Sequence, residues 1–170
     1  MTECRRGTGL RERHGFIDFL YFKLLTAVPL ITVLVGFWRT APLMIVPYLL
    51  WIAVHMTLVY RLLCTHCPHY GAYEGRTRCH YLWRVPAVFS PRPAPQRMIE
   101  KAGVMALLAV STLFPVYWLA RDPALLVIYL LSVSVLLITM MRYECARCIH
   151  FECAHNRAPN KQPTAGSHPA

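Results

Sequence analysis

At 170 residues, with 56% hydrophobic side chains, a mean hydropathy of +0.37 and a net charge of +10, the chain is long enough for one domain but too apolar for an ordinary soluble one. Buried soluble helices in these proportions would leave too few polar residues to coat the outside, so the core must face lipid. The basic excess would suit nucleic acid, but its placement beside apolar runs, and loop aromatics that are not spaced as a stacking platform, argue that no nucleic acid is bound.

Residues 1–15 form a basic leader with Arg5, Arg6, Arg11 and Arg13, and with a lone Cys4 that has no ligand-spaced neighbour. Residues 16–63 predict a first helical hairpin with transmembrane helices over 16–38 and 43–63, each near the ~20 residues needed to cross the hydrocarbon. The first run is not a cleavable signal peptide, because it is too long, contains Asp18 and Lys23, and lacks a small-residue cleavage site. Lys23 is expected to snorkel to the headgroups and Asp18 to pair with Lys23 or His14. His55, about two turns before Cys64, is the intramembrane ionisable residue suited to a quinone or proton contact, against a plain hydrogen-bonded packing role.

Residues 64–101 form a Cys/His loop that ends in a stiff Pro-rich spacer, Ser90–Gln96. Within it Tyr81, Leu82 and Trp83 suit an anchor at the headgroup level. Residues 102–142 predict a second hairpin, with helices over 102–120 and 124–142; Asp122 caps the latter and Pro123 sits at its first position. Pro29, Pro47 and Pro115 are expected to kink their helices. A second Cys/His cluster over 143–156 and a disordered tail over 157–170 complete the chain.

The two clusters repeat one pattern. Cys64-x2-Cys67-x-His69-Tyr70 recurs as Cys145-x2-Cys148-x-His150-Phe151, each three residues after an arginine, Arg61 or Arg142, at a constant offset of 81 residues. Cys79 with His80, and Cys153 with His155, add a third thiol and a further imidazole to each copy. The expected fold is therefore an all-α membrane protein: four transmembrane helices arranged as a tandem duplication of two-helix hairpins, each followed by a cytoplasmic Cys/His cluster. Two crossings per unit give both copies one orientation, so both clusters emerge on the same face.

Basic residues set the direction. Fifteen Lys and Arg side chains flank the termini and the central loop, whereas Arg39 and Arg121 alone occupy the opposite turns. This bias predicts a multi-pass protein of the cell's inner (plasma) membrane with both termini cytoplasmic and anionic headgroups as counter-ions. A cytoplasmic protein or redox partner would dock on the same basic face.

Thiolate and neutral imidazole are the ligand forms of Cys and His, and Cys-x2-Cys chelates one ion from a tight turn. The candidate metal ligands are Cys64, Cys67, Cys79 with His69 or His80, and Cys145, Cys148, Cys153 with His150 or His155. These are Cys3His sets, a combination that suits structural zinc. An iron–sulfur cluster would need a histidine or sharing between copies. Eleven residues separate Cys67 from Cys79 but only four separate Cys148 from Cys153, a variation that zinc tolerates more readily. Stable disulfides are disfavoured on a reducing face, and neither copy reads Cys-x2-Cys-His, the haem-attachment motif. His66 stands between surface and ligand roles.

No nucleophile elbow, catalytic carboxylate pair, phosphate loop or dinucleotide fingerprint appears, so no nucleotide cofactor and no hydrolytic activity are expected, and an oxidoreductase component is the enzymatic option left. The leading expectation is an integral membrane metal-binding protein with two repeated sites holding zinc or iron–sulfur. The alternatives are an electron-transfer or thiol-redox component acting with a quinone, and a soft-metal transporter or sensor. The four-helix scaffold with paired Cys clusters resembles membrane-bound electron-transfer subunits in general architecture, although their cluster motifs are not matched here.

Overall fold

The structure is a computed structural model that describes residues 14–67, 69–71, 75–92 and 94–147. Cys148, His150, Cys153 and His155, like the leader to residue 13 and the tail, lie outside the described residues. The helices are α1 (Phe16–Thr40), α2 (Ile45–Leu62), α3 (Met98–Leu113), α4 (Val116–Leu119) and α5 (Pro123–Thr139). With their terminal turns they form four runs long and apolar enough to cross a bilayer: Phe16–Thr40, Pro42–His66, Met98–Leu119 and Pro123–Arg147. Leu24, Ile31, Leu50, Leu131 and Ile138 point outward and are exposed. Apolar side chains of this size and number on the outer surface match a lipid solvent, as in a multi-pass membrane protein.

The last two spans are longer than hydropathy alone predicts. α3 starts at Met98 because the Arg97 N–H donates to Glu100 Oε2 at 2.9 Å, which caps four polar-flanked residues into the helix. At the other end, α5 runs into a wide π turn, Met140–Glu144, and a 3-10 turn, Cys145–Arg147. α1 opens in the same manner as α3, the Gly15 N–H donating to Asp18 Oδ2 at 2.8 Å, so Asp18 serves the helix start. At α5, Asp122 caps as expected: the Leu125 N–H donates to its Oδ1 at 3.3 Å.

The three prolines act differently. Pro29 lies within a continuous α1. Pro47 falls in the first turn of α2, behind a 3-10 turn at Pro42–Met44, where no helical donor is lost. Pro115 splits the third span into α3 and α4, and the hydroxyl of Tyr129 donates to the Thr112 carbonyl at 2.8 Å, satisfying an acceptor next to the break.

α1 packs chiefly on α5 and α2 on α3. At one end Val33, Phe37, Tyr48, Leu119 and Tyr129 form a buried cluster, with Phe37 edge-on to Tyr48 and Trp118. Gly36 admits Leu119 there, since a Cβ at this position would lie 2.5 Å from Leu119 Cδ2. Arg39 and Asp122, 3.1 Å apart, join the two turns outside this cluster.

The opposite end carries an element absent from the all-α expectation. Arg76–Arg78 (β1) pairs antiparallel with Trp83–Pro86 (β2), with a register irregularity between Thr77 and Arg78. Strands of three and four residues offer too few positions for alternation to register in the sequence. Tertiary contacts hold the hairpin. Tyr60 donates its hydroxyl to the Pro86 carbonyl at 2.6 Å, and Tyr70 donates to the Phe89 carbonyl at 2.8 Å while accepting from the Phe89 N–H. Trp83 packs on Phe16 and Phe19, and Tyr81 on Phe22, so this aromatic run rests on the start of α1.

The Pro-rich stretch is a strap across the end of α2. The Arg92 N–H donates to the Thr65 carbonyl at 2.8 Å and Gln96 Nε2 donates to the Leu62 carbonyl at 2.8 Å. His66 Nδ1 lies 2.7 Å from the Ala94 carbonyl, so it carries the proton, and Nε2 faces Glu100 Oε2 at 3.5 Å. His66 thereby ties the strap to α2 and α3.

Candidate metal centre

Cys64 ends α2 in a 3-10 turn over Cys64–His66, and the Cys67 N–H donates to the Cys64 carbonyl at 2.9 Å. Both thiols thus sit on one tight turn, the backbone arrangement that lets Cys-x2-Cys hold one ion. Cys64 is buried beside Tyr60 and Tyr70, and Cys67 packs against the same cluster. Cys64, Cys67, Cys79 and Cys145 all carry thiols, not disulfides.

Cys79 opens the turn between β1 and β2. Its N–H donates to the Leu82 carbonyl at 2.8 Å, and the Leu82 N–H points back to its Sγ at 3.3 Å. Burial pushes the thiol pKa up, opposed by N–H groups of Leu82 and Tyr81 and by the charge of Lys23, while Glu144 pushes it further up. A cation bound at the sulfur would reverse this balance, since a coordinating thiol is deprotonated outright. Burial, then the charges of Cys64 and Cys79, push the Tyr81 phenol up as well; this side chain therefore lies within electrostatic reach of both thiols.

His69 is buried, and its Nε2 finds no hydrogen-bond partner among the described residues. Burial lowers its pKa, keeping the imidazole neutral and suited to ligation. Its ring meets the His14 ring edge-on at 5.1 Å between centroids, and the His14 ring lies 5.2 Å from that of His80. His80 also packs edge-on against Phe22 of α1.

His14, His80 and Glu144 complete the picture. His14 Nδ1 and His80 Nδ1 each lie 3.7 Å from Glu144 Oε2, and one donor atom from each residue fits within a 4.8 Å span. Three distant segments meet here: the residue before the α1 cap, the hairpin turn, and the last residue of the π turn. The packing of α1 on α5 brings the first and third together. Cys145 follows Glu144 directly and is half-buried, so the start of the second motif lies at the end of the bundle occupied by the first.

Of the sequence-derived ligands, Cys64, Cys67, His69, Cys79 and His80 lie at that end, as does Cys145, but among the described residues the one group of three or more donor atoms within 4.8 Å of one another is His14, His80 and Glu144, so the expected thiol set is not brought together around a single point. His14 and Glu144 were not among the ligands expected. Their signals are faint: an acidic residue beside a motif cysteine, and an imidazole directly ahead of a span.

His55 lies apart from this cluster. Its Nδ1 is 2.7 Å from Ser111 Oγ, which also accepts from Trp51 Nε1 at 3.0 Å, making a polar link between α2 and α3. Lys23 sits over the rings of Phe19 and Tyr81, at 5.5 and 5.4 Å from their centroids, on the side of α1 that faces the hairpin. Compared with protein-family models, curated proteins and solved structures, the chain matches none.

Proposed function

We propose that this chain is an integral membrane metal-binding protein in which ligands from both Cys/His motifs serve one end of the bundle, with zinc as the ion. The carrying observation is that the Glu144–Cys145 step of the last span stands beside His80 and Cys79 of the central loop, since Glu144 lies 3.7 Å from His80 and bears electrostatically on Cys79. Thiols mixed with imidazoles suit a borderline ion with four ligands; an iron–sulfur cluster instead asks for a thiolate shell around inorganic sulfide. The ion would crosslink loop and helix ends that are otherwise joined by a two-stranded hairpin and a strap.

The tandem arrangement belongs to this proposal. α1 against α5 and α2 against α3 are equivalent pairs if the halves are related by an axis along the membrane normal. Tyr48 and Tyr129, 81 residues apart, are both buried, and Pro42 and Pro123 share that offset at the start of the second and fourth spans. The basic residues of the ligand end assign it to the cytoplasmic face, against anionic headgroups. The quinone contact considered for His55 is not part of the proposal, as that imidazole engages Ser111.

Metal analysis of protein purified without oxygen tests the reading. Stoichiometric zinc is expected, with lower content in Cys64→Ser and Cys145→Ser. Unchanged content in both variants, or a broad visible absorbance from iron–sulfur in the parent protein, would reject it.

A further inference from the structure

We propose that His14, His80 and Glu144 form a metal site of their own, which takes one divalent cation of the zinc class on two imidazoles and a carboxylate and leaves a fourth position to solvent. This inference rests on the reading of the bundle end as metal-binding, but it concerns nitrogen and oxygen donors instead of the thiols.

Spacing is the first ground. A tetrahedral ion with bonds of ~2.0–2.1 Å sets its donors roughly 3.3–3.5 Å apart. The two imidazole-to-carboxylate distances of 3.7 Å lie a few tenths of an ångström outside that edge, and beyond the usual reach of a hydrogen bond. Both imidazoles direct the same type of nitrogen, Nδ1, to the same carboxylate oxygen, Oε2. All three donor atoms lie within 4.8 Å of one another, so an ion placed between them would draw the side chains inward.

Burial is the second. The side chains of His14 and Glu144 are 6% and 11% exposed, and that of His80 is 21% exposed. A carboxylate removed from water to this degree is costly unless positive charge accompanies it. A divalent cation shared by the three side chains would supply that charge and leave both imidazoles neutral as ligands.

Support from the fold is the third. Glu144 closes a π turn, which widens the helix at that residue, and such turns recur at functional sites. The three donors come from segments far apart in sequence, so the group exists only when α1, the hairpin and α5 are docked together. Two imidazoles and one carboxylate are also a ligand set of the kind that leaves zinc a position for water or an exchangeable ligand. Chain adjacency couples the group to the thiols, because His80 follows Cys79 and Glu144 precedes Cys145.

Cobalt(II) loading of the full-length protein in detergent, after anaerobic purification and chelator stripping, is the test. Wild type is expected to show a thiolate-to-cobalt charge-transfer band from the Cys ligands, together with ligand-field bands that shift on adding azide at the open position. Glu144→Gln and His14→Gln should each lower cobalt by one equivalent per chain and abolish the azide response, with the charge-transfer band retained. If Glu144→Gln fails to fold, as judged by lost helical circular dichroism, His14→Gln decides. Variants that keep full cobalt and the azide response would overturn this site while leaving the thiol reading intact. A wild-type protein that takes up no metal would overturn both.

Discussion

Replacing Gly36 by alanine tests the α1–α4 crossing that fixes the far end of the bundle. The new Cβ would lie 2.5 Å from Leu119 Cδ2, where carbon atoms normally approach to ~3.5–4.0 Å. Leu119 would have to move by about 1 Å, yet it is 1% exposed and locked among Val33, Phe37, Tyr48 and Tyr129. Overpacking of this kind costs about 1–3 kcal/mol. Leu119→Ala should cost ~2–5 kcal/mol by opening a cavity. In the double variant the added methyl occupies part of the vacated space, so the pair should destabilise by at least ~1 kcal/mol less than the sum of the singles. Gly103→Ala is the control: its Cβ meets Leu62 Cδ1 at an ordinary 3.7 Å, and the gain in helix propensity of up to ~1 kcal/mol makes it neutral or stabilising. Reversible unfolding in mixed micelles by titration with sodium dodecyl sulfate gives all four values. A neutral Gly36→Ala, or additivity of the two changes within ~0.5 kcal/mol, would refute the close approach.

Three substitutions at polar contacts have expected costs in the same titration. Tyr129→Phe removes the donor that satisfies the Thr112 carbonyl beside the Pro115 break, and should cost about 1 kcal/mol in the same titration; no change would mean that the carbonyl finds another donor. Asp122→Ala should cost about 0.5–2 kcal/mol through loss of the α5 cap. Arg39→Ala should cost less, at most about 1 kcal/mol, because that side chain is 63% exposed and its ion pair is screened. Equal costs for the two variants would contradict the cap as the main role of Asp122.

The four spans were legible because a bilayer imposes one requirement, about 20 apolar residues, that hydropathy reads directly. Their ends were less so. Glu100 sits among charged residues that read as loop, yet its bond to the Arg97 N–H pulls α3 back to Met98, and the π turn carries the last span through Arg142 to Glu144. The hairpin leaves no pattern in the sequence, since it is held by Tyr60 at Pro86 and, just past β2, by Tyr70 at Phe89, not by alternation along its own strands. The thiol turn at Cys64–Cys67 was legible from spacing alone, because one local turn positions both side chains. His14 and Glu144 were not, since they lie 130 positions apart in the chain and only the docking of α1 on α5 makes them neighbours. Local chemistry shows in a sequence; chemistry assembled across a bundle shows only in the packing.

Under the proposed tandem arrangement, the two seams of the bundle are equivalent in backbone and different in chemistry. His14 and Gln96 each stand two residues before a helix, α1 or α3, and each helix start is capped by its third residue, Asp18 or Glu100. At the α2–α3 seam Gln96 donates to the Leu62 carbonyl, and Glu100 faces His66 and Arg92. An amide–carbonyl bond, the Arg92–Glu100 ion pair and the His66–Glu100 contact close that junction. At the α1–α5 seam the residue two before the helix is His14, one position off the 81-residue register that matches Gln96 with Gly15, and Leu63 has Glu144 as its 81-residue counterpart. An imidazole in place of an amide, and a carboxylate in place of an aliphatic chain, give this seam the donors that the proposed cation would share. Under the proposed metal site, this seam also borders Cys79 and Cys145 in sequence, so a cation bound there would bear on the docking of α1 on α5 and, through it, on the position of the thiols.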